Sequence, residues 1–110
     1  MPDDRSDFFQ RVWDVVAEIP LGQVTTYGHI AEHLGAKRSA RVVGWAMKAA
    51  AGTPLPCHRV VNRRGALTGR LHFETPTVME ERLRSEGVTF TDEGDVDLRR
   101  HLWIPGEPGE

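Results

Sequence analysis

The sequence contains one cysteine, no long apolar run and a central stretch without acidic residues. A single cysteine forms no internal disulfide and no zinc site with several thiolates, which agrees with a reducing compartment. No apolar run approaches the roughly 18 residues of a membrane span, and the acidic start lacks the basic and apolar regions of a signal peptide. We therefore expect a cytoplasmic protein without membrane contact.

The length of 110 residues, 39% of them hydrophobic, suits one compact domain with one core. We expect a single domain over 1–110, with an ordered core over about 6–104. His29 and His33 stand four apart, as two metal ligands on a helix would, but no glutamate completes a zincin pattern there. No metal site is therefore predicted.

Charge is distributed unevenly along the chain. The formal net charge is −2, yet no aspartate or glutamate occurs from His33 to Phe73. That stretch holds eight cations, which are Lys37, Arg38, Arg41, Lys48, Arg59, Arg63, Arg64 and Arg70. A basic centre between acidic ends is typical of a protein that places one face on phosphates, although a solvated basic face gives the same pattern.

Apolar periodicity predicts three helices in the first half of the chain. The first covers about 6–18, and the second, capped by Thr25 or Thr26, covers about 27–34. A third covers about 40–50, after a tight turn that contains a glycine. Two helices joined in this way form a helix-turn-helix candidate.

The third predicted helix has a polar stripe as well as an apolar face. Residues three or four apart place three cations and an aromatic ring on this stripe, at Arg38, Arg41, Trp45 and Lys48. Cations bind phosphates, and an aromatic ring or arginine fills space in a base stack, so the stripe predicts a DNA-binding face. The alternative is a partly buried Trp45 with cations passing over it.

A small β element and a fourth helix are predicted in the second half. Val60 and Val61 predict a short buried strand, and the basic, glycine-containing segment 62–69 has the composition of a turn or wing. Thr75 and Pro76 predict the start of the fourth helix over about 76–86. After it we expect one short ordered piece, docked through Leu98, Leu102 and Trp103. The chain is thus predicted to be mainly α with a small amount of β structure.

The stretch Pro56 to Arg59 places the cysteine beside an imidazole in positive surroundings. A free thiol is only a few per cent ionised at neutral pH, and positive charge or a hydrogen-bonding histidine raises that fraction. Cys57 is therefore a candidate nucleophile and His58 a candidate base, although adjacent side chains need not point the same way. The alternative is that Cys57 is a small buried hydrophobic residue.

The run PCHRVV from Pro56 to Val61 resembles the active-site motif of the O6-alkylguanine DNA alkyltransferases. Thr26 with Tyr27, the run 41–44 and the run 85–87 follow the order and spacing of that family, so the resemblance spans about 8–88. It implies a winged helix-turn-helix DNA-binding domain, mainly α with a small β wing. Such a domain binds the minor groove of duplex DNA and rotates an alkylated guanine out of it, without metal or cofactor.

The resemblance also implies roles for matching side chains. Cys57 would accept the alkyl group, His58 would activate it through a water, and Glu86 would orient His58. Tyr27 would help rotate the nucleotide and assist the leaving guanine, while Arg41 would fill the vacated space in the stack. The full set of expected DNA-binding residues is Thr26, Tyr27, Arg38, Arg41, Trp45, Lys48, Arg59, Arg63 and Arg64.

Departures from the family's pattern point to a second group of relatives. The loop before Cys57 is one residue shorter, and the Ser-Gly-Gly expected after Gly69 is replaced by Arg70 to Phe73. These features resemble the alkyltransferase-like proteins, which flip and hold O6-alkylguanine and hand it to nucleotide excision repair. Those proteins typically have tryptophan or alanine at the position of Cys57.

Three functions remain open on the sequence. The leading prediction is a single-turnover enzyme that transfers an alkyl group from O6-alkylguanine in double-stranded DNA to Cys57. The alternative is a non-catalytic lesion-binding protein with nucleotide excision repair proteins as partners, and the third is an ordinary winged-helix DNA binder with a structural cysteine. In each case we expect a monomer, associated with the bacterial nucleoid when bound to DNA.

Overall fold

A computed structural model describes residues 4–35 and 40–107, and helices dominate this part of the chain. The α-helices are α1 (Asp4–Ala17), α2 (Tyr27–His33), α3 (Ala40–Ala49), α4 (Val78–Ser85) and α5 (Leu98–His101). The strands are β1 (Thr25–Thr26) and β2 (Val60–Val61), and single 3₁₀ turns occur at Cys57–Arg59 and Arg70–His72. The predicted mainly helical fold with a small sheet is confirmed. No helix of the described residues is long and apolar enough to cross a membrane.

The two strands pair in parallel and lie in the interior. Thr25 stands opposite Val60 and Thr26 opposite Val61, and all four residues are buried. The strand predicted from the two valines is therefore confirmed, and its partner is the segment that caps α2. The segment 62–69 forms turns, closed by a hydrogen bond from the Gly65 amide to the Asn62 carbonyl at 2.9 Å.

The first core lies between α1, α2 and α3. Val12 and Val16 of α1 are fully buried against Val43 and Ala46 of α3. The indole of Trp13 donates a hydrogen bond to the carbonyl of Ala46 at 2.9 Å, so the two helices are joined by a polar contact as well. Burial of this apolar face stabilises helices that are too short to persist alone.

Thr26 caps α2, which decides between the two threonines that the sequence offered. Its backbone is extended and its hydroxyl accepts a hydrogen bond from the amide of His29 at 3.1 Å. A cap of this kind satisfies one of the free amides at the start of the helix. Gly35 follows the helix with φ +73°, the left-handed conformation typical of a glycine that ends a helix.

The predicted start of the fourth helix is wrong. The helix begins at Val78 rather than at Pro76, and Thr77 precedes it without a side-chain cap. The hydroxyl of Thr75 lies 3.1 Å from that of Thr77 and accepts from the Thr77 amide at 3.4 Å, so a local turn occupies the residues expected to be helical. The predicted end is confirmed, because Gly87 follows the helix with φ +88°.

A second core joins α4 to the segment after it. Met79 and Leu83 of α4 are fully buried beside Val24, Val61 and Val96. The ordered piece predicted near the end is α5, after which Leu102 pairs with Val24 and the Trp103 amide donates to the Val24 carbonyl at 2.7 Å. The final segment therefore docks directly beside β1.

Candidate functional site

A cavity of about 290 Å³ lies between α3, the loop 50–55 and the segment 68–74. Its wall includes the aromatic ring of Tyr27, the side chain of Met47 and the thiol of Cys57. The segment 68–74, which contains the 3₁₀ turn Arg70–His72, also lines the cavity and is called the lid below. The cavity is thus a concave site with a few polar groups, the usual form of a small-ligand pocket.

The paired strands bring Tyr27 and Cys57 to this cavity. Tyr27 is the first residue after β1, and Cys57 begins the 3₁₀ turn that leads into β2. Burial raises the pKa of Tyr27, an effect reduced by a hydrogen bond with Thr68 and increased by the charge of Cys57. The tyrosine is therefore a hydrogen-bond donor, not a phenolate, at neutral pH.

The thiol of Cys57 is half-buried and weakly bonded. Its sulfur lies 3.9 Å from the carbonyl oxygen of Ala50, a long contact for a weak donor. Burial raises the pKa of this thiol, while a backbone hydrogen bond and the charge of Arg82 lower it by less. The thiol form therefore predominates at neutral pH.

His58 and Glu86 are brought together by the meeting of the 3₁₀ turn with the end of α4. The Nε2 atom of His58 lies 2.7 Å from Oε2 of Glu86, and both side chains are nearly buried. Burial lowers the pKa of His58, and the opposing effect of Glu86 does not restore it, so the ring is neutral. Because an ionised carboxylate only accepts hydrogen bonds, His58 carries its proton on Nε2 and has a lone pair on Nδ1.

The Nδ1 atom of His58 is buried and has no hydrogen-bond partner within residues 4–35 and 40–107. An unpaired buried acceptor is costly and is uncommon outside functional sites. The pairing expected for His58 and Glu86 is thus present, and the ring keeps an acceptor available for a proton.

Arg59 lies on the opposite side of the 3₁₀ turn from the cavity. Its guanidinium donates to the two carboxylate oxygens of Glu86 at 2.9 and 2.8 Å and to the carbonyl of Ile19 at 2.8 Å. Burial by itself raises the pKa of Glu86, but hydrogen bonds and charge from Arg59 and His58 outweigh it and hold the value at about 2. The guanidinium of Arg59 is thus bound to three protein oxygens, and its predicted contact with DNA stays a prediction.

The other predicted DNA-binding residues fall into four groups. Tyr27 lines the cavity described above. Five have side chains on one exposed helix face or on the exposed turn after β2, and these are Arg41, Trp45, Lys48, Arg63 and Arg64. Thr26 is only 2% exposed and its hydroxyl caps α2, so its contact with DNA stays a prediction. Arg38 lies outside the described residues.

Sequence reasoning missed Glu74 and Arg82 in the wall of the cavity. Both line the cavity together with Phe73 of the lid, and the guanidinium of Arg82 lies 5.5 Å from the centroid of the Phe73 ring. The helical register gave the one available signal, since Arg82 flanks the buried positions Met79 and Leu83 on α4. Within the described part of the chain, no group of three ligating side chains is placed to hold a metal.

Residues 7–88 match the family model described as 6-O-methylguanine DNA methyltransferase, DNA binding domain. The chain is 44% identical over 106 residues to the DNA base-flipping protein of Escherichia coli, covering 92% of this chain and 78% of that protein. It is 39% identical over 104 residues to alkyltransferase-like protein 1 of Schizosaccharomyces pombe, covering 90% and 96%.

Solved structures show the same likeness. A crystal structure of Schizosaccharomyces pombe Atl1 in complex with damaged DNA containing O6-carboxymethylguanine superposes with a TM-score of 0.76 at 39% identity, covering 96% of this chain and 100% of that one. The Mycobacterium tuberculosis protein OGT in complex with DNA gives a TM-score of 0.64 at 37% identity, covering 73% of this chain and 49% of that one. The likeness to the first extends through the segment that follows α4.

Proposed function

The chain belongs to the family of the 6-O-methylguanine DNA methyltransferase DNA-binding domain, and from this premise we propose that it repairs O6-alkylguanine in duplex DNA by accepting the alkyl group on Cys57. The observation that carries the proposal is a cavity with the thiol of Cys57 on one wall and the hydroxyl-bearing ring of Tyr27 on another. A base inside a duplex is out of reach of such a thiol, so the guanine must first be turned out of the stack.

The reaction needs only groups of this chain and the lesion. The Cys57 thiol gives its proton, through a water, toward Nδ1 of His58, and the sulfur attacks the alkyl carbon. The new S–C bond forms as the C–O6 bond of the guanine breaks, and the electron pair of that bond stays on the guanine. The hydroxyl of Tyr27 stabilises this charge until the base takes up a proton from water, while His58 returns its proton to water. The product is a thioether that water does not cleave, so each molecule acts once.

Duplex DNA is held by the exposed cations on α3 and on the turn after β2. Arg41 stands at the start of α3, where its guanidinium can fill the space that the flipped base leaves. Lys48, Arg63 and Arg64 are exposed and serve phosphates. Affinity should therefore fall steeply with salt and depend little on base sequence.

Intact-mass spectrometry after incubation with a duplex containing O6-methylguanine tests the proposal. We expect a gain of one methyl group, located on the peptide that holds Cys57. Cys57→Ala should abolish the gain but keep selective binding of the lesion, whereas Arg41→Ala should weaken binding of any duplex. Equal affinity for damaged and undamaged duplexes would contradict recognition of the lesion, and loss of binding in Cys57→Ala would mean that the cysteine holds the fold.

A second candidate function is recognition of O6-alkylguanine without transfer. It is favoured by the raised pKa of Cys57, which leaves little thiolate at neutral pH. In that case the protein would hold the flipped base and mark it for nucleotide excision repair proteins. Tight, selective binding of the lesion with no change in protein mass would establish this function and exclude the first.

A further inference from the structure

The lining of the cavity includes charged side chains that the transfer reaction does not use. Arg82 reaches the cavity from α4, and His72 and Glu74 reach it from the lid. The guanidinium of Arg82 lies over the Phe73 ring at 5.5 Å, a distance suited to a cation–π contact. Across residues 4–35 and 40–107, no salt bridge engages Arg82.

Arg84, two residues further along the same helix, is by contrast engaged in an ion pair and a ring contact. The Nε atom of Arg84 lies 2.8 Å from a carboxylate oxygen of Glu80, and its guanidinium lies 4.4 Å from the Phe90 ring centroid. Arg84 faces away from the cavity, whereas Arg82 forms part of its wall. Arg82 is therefore the arginine of α4 that can meet a ligand in the cavity.

The proposed reaction fixes where the substituent of the lesion must lie. The attacked carbon has to touch the Cys57 sulfur, so the remaining atoms of the O6 substituent extend into the cavity past that point. The charge of Arg82 is close enough to act on the Cys57 thiol. A charge on the substituent, one or two bonds beyond the attacked carbon, lies within the same range.

We propose that Arg82 makes the cavity favour guanines whose O6 substituent carries a carboxylate, such as O6-carboxymethylguanine, over guanines with a neutral substituent of similar size. This inference rests on the proposed function and adds a substrate class to it. Arginine binds carboxylates strongly because its planar guanidinium offers several donors at once. Glu74, which also lines the cavity, opposes this preference by repelling an anionic substituent.

The test compares two lesions in one protein background. Cys57→Ala protein, which cannot remove the substituent, is titrated with a duplex containing O6-carboxymethylguanine and with the same duplex containing O6-propylguanine. The measured quantity is the ratio of the two dissociation constants. We expect Arg82→Gln to reduce the preference for the carboxymethyl lesion by about two- to five-fold, the range of an exposed ion pair. Arg82→Lys should keep more of it, and Glu74→Gln should increase it.

Arg84→Gln is the matched control, since it removes the same charge from the same helix outside the cavity, and it should leave the ratio unchanged. An unchanged ratio in Arg82→Gln, or equal shifts in Arg82→Gln and Arg84→Gln, would overturn the inference. If Arg82→Gln does not fold, an unchanged ratio in Glu74→Gln overturns it equally. Selective binding of O6-propylguanine over undamaged duplex reports on the proposed function separately. If that selectivity is kept in Cys57→Ala protein while Arg82→Gln leaves the ratio unchanged, the inference alone fails; equal affinity of the unsubstituted protein for damaged and undamaged duplexes would contradict the proposed function itself.

Discussion

The two sides of the 3₁₀ turn Cys57–Arg59 have opposite environments although they are two residues apart. On the cavity side, Cys57 is half-buried and makes one long contact, at 3.9 Å. On the interior side, Arg59 and His58 meet Glu86 through three contacts of 2.7 to 2.9 Å. The two sides thus have different roles. The hydrogen bonds of His58 and Arg59 to Glu86 fix the position of the turn, and the thiol of Cys57 can therefore remain without strong partners.

Such a division has a physical reason. A nucleophile that is fully hydrogen-bonded must break those bonds before it reacts, whereas one with weak contacts needs less reorganisation. A reactive group with weak contacts, however, does not hold its own position. The carboxylate of Glu86 supplies that position from 28 residues away, through the neighbour of the cysteine.

Removal of the carboxylate should give the largest effect on the interior side. Glu86→Ala leaves the nearly buried guanidinium of Arg59 without its counter-charge, and we expect the free energy of unfolding to fall by about 3–5 kcal/mol. Urea denaturation measures it. Glu80→Ala, which breaks the exposed pair with Arg84, is the matched control and should cost about 0.5 kcal/mol. Similar losses of stability in the two variants would mean that the nearly buried contacts of Glu86 contribute no more than an exposed ion pair.

Two arginines, one on the interior side and one on the surface, should separate stability from DNA binding. Arg59→Ala should lower the free energy of unfolding by about 2 kcal/mol, because three hydrogen bonds with charged donors are lost. Arg63→Ala should leave stability within about 0.5 kcal/mol but weaken duplex binding and reduce its salt slope by about one. Denaturation and salt-dependent anisotropy titrations measure both. The reverse pattern would mean that Arg59 serves DNA binding rather than stability.

Acid should weaken the interior side in two steps, each with a slope of at most about 1.4 kcal/mol per pH unit. His58 has a lowered pKa in the folded state, so the unfolded chain takes up its proton first and stability falls below about pH 6.5. Glu86 has a folded pKa of about 2 against 4.5, so its contribution, complete above pH 4.5, is lost as pH falls from there toward 2. Urea denaturation at several pH values measures this, with His58→Gln as the control that removes the first step. A free energy of unfolding that increases as the pH is lowered from 7 to 5 would contradict the lowered pKa of His58.

Local pattern predicted much of the fold. The spacing of Val12, Val16 and Ile19 located α1, a pair of adjacent threonines located the start of α2 to within one residue, and two adjacent valines located β2. Each of these signals is a short-range preference for a backbone conformation or a buried face. The start of α4 was missed because Thr75 and Thr77 also favour a local turn, and the turn forms.

Direction was harder to predict than position. A stretch of cations without acids indicates a basic surface, but it does not say which guanidinium turns inward, and Arg59 turns toward a carboxylate 27 residues later. Arg82 lies outside that stretch and reaches the cavity only through the packing of α4. The pairing of His58 with Glu86 was expected from family resemblance rather than from composition, and no local signal predicts it.

The parallel pairing of Thr25 with Val60 and of Thr26 with Val61 has a consequence for how the chain can vary. Tyr27 directly follows β1, and Cys57 begins the single 3₁₀ turn that precedes β2. The separation of the two side chains is therefore set by the pairing of β1 with β2, not by the chain between them. Insertions or deletions in the loop 50–55 can then accumulate without moving the two side chains apart. Changes in the loop before Cys57 can therefore alter the width of the cavity, while the paired strands keep Tyr27 and Cys57 in place.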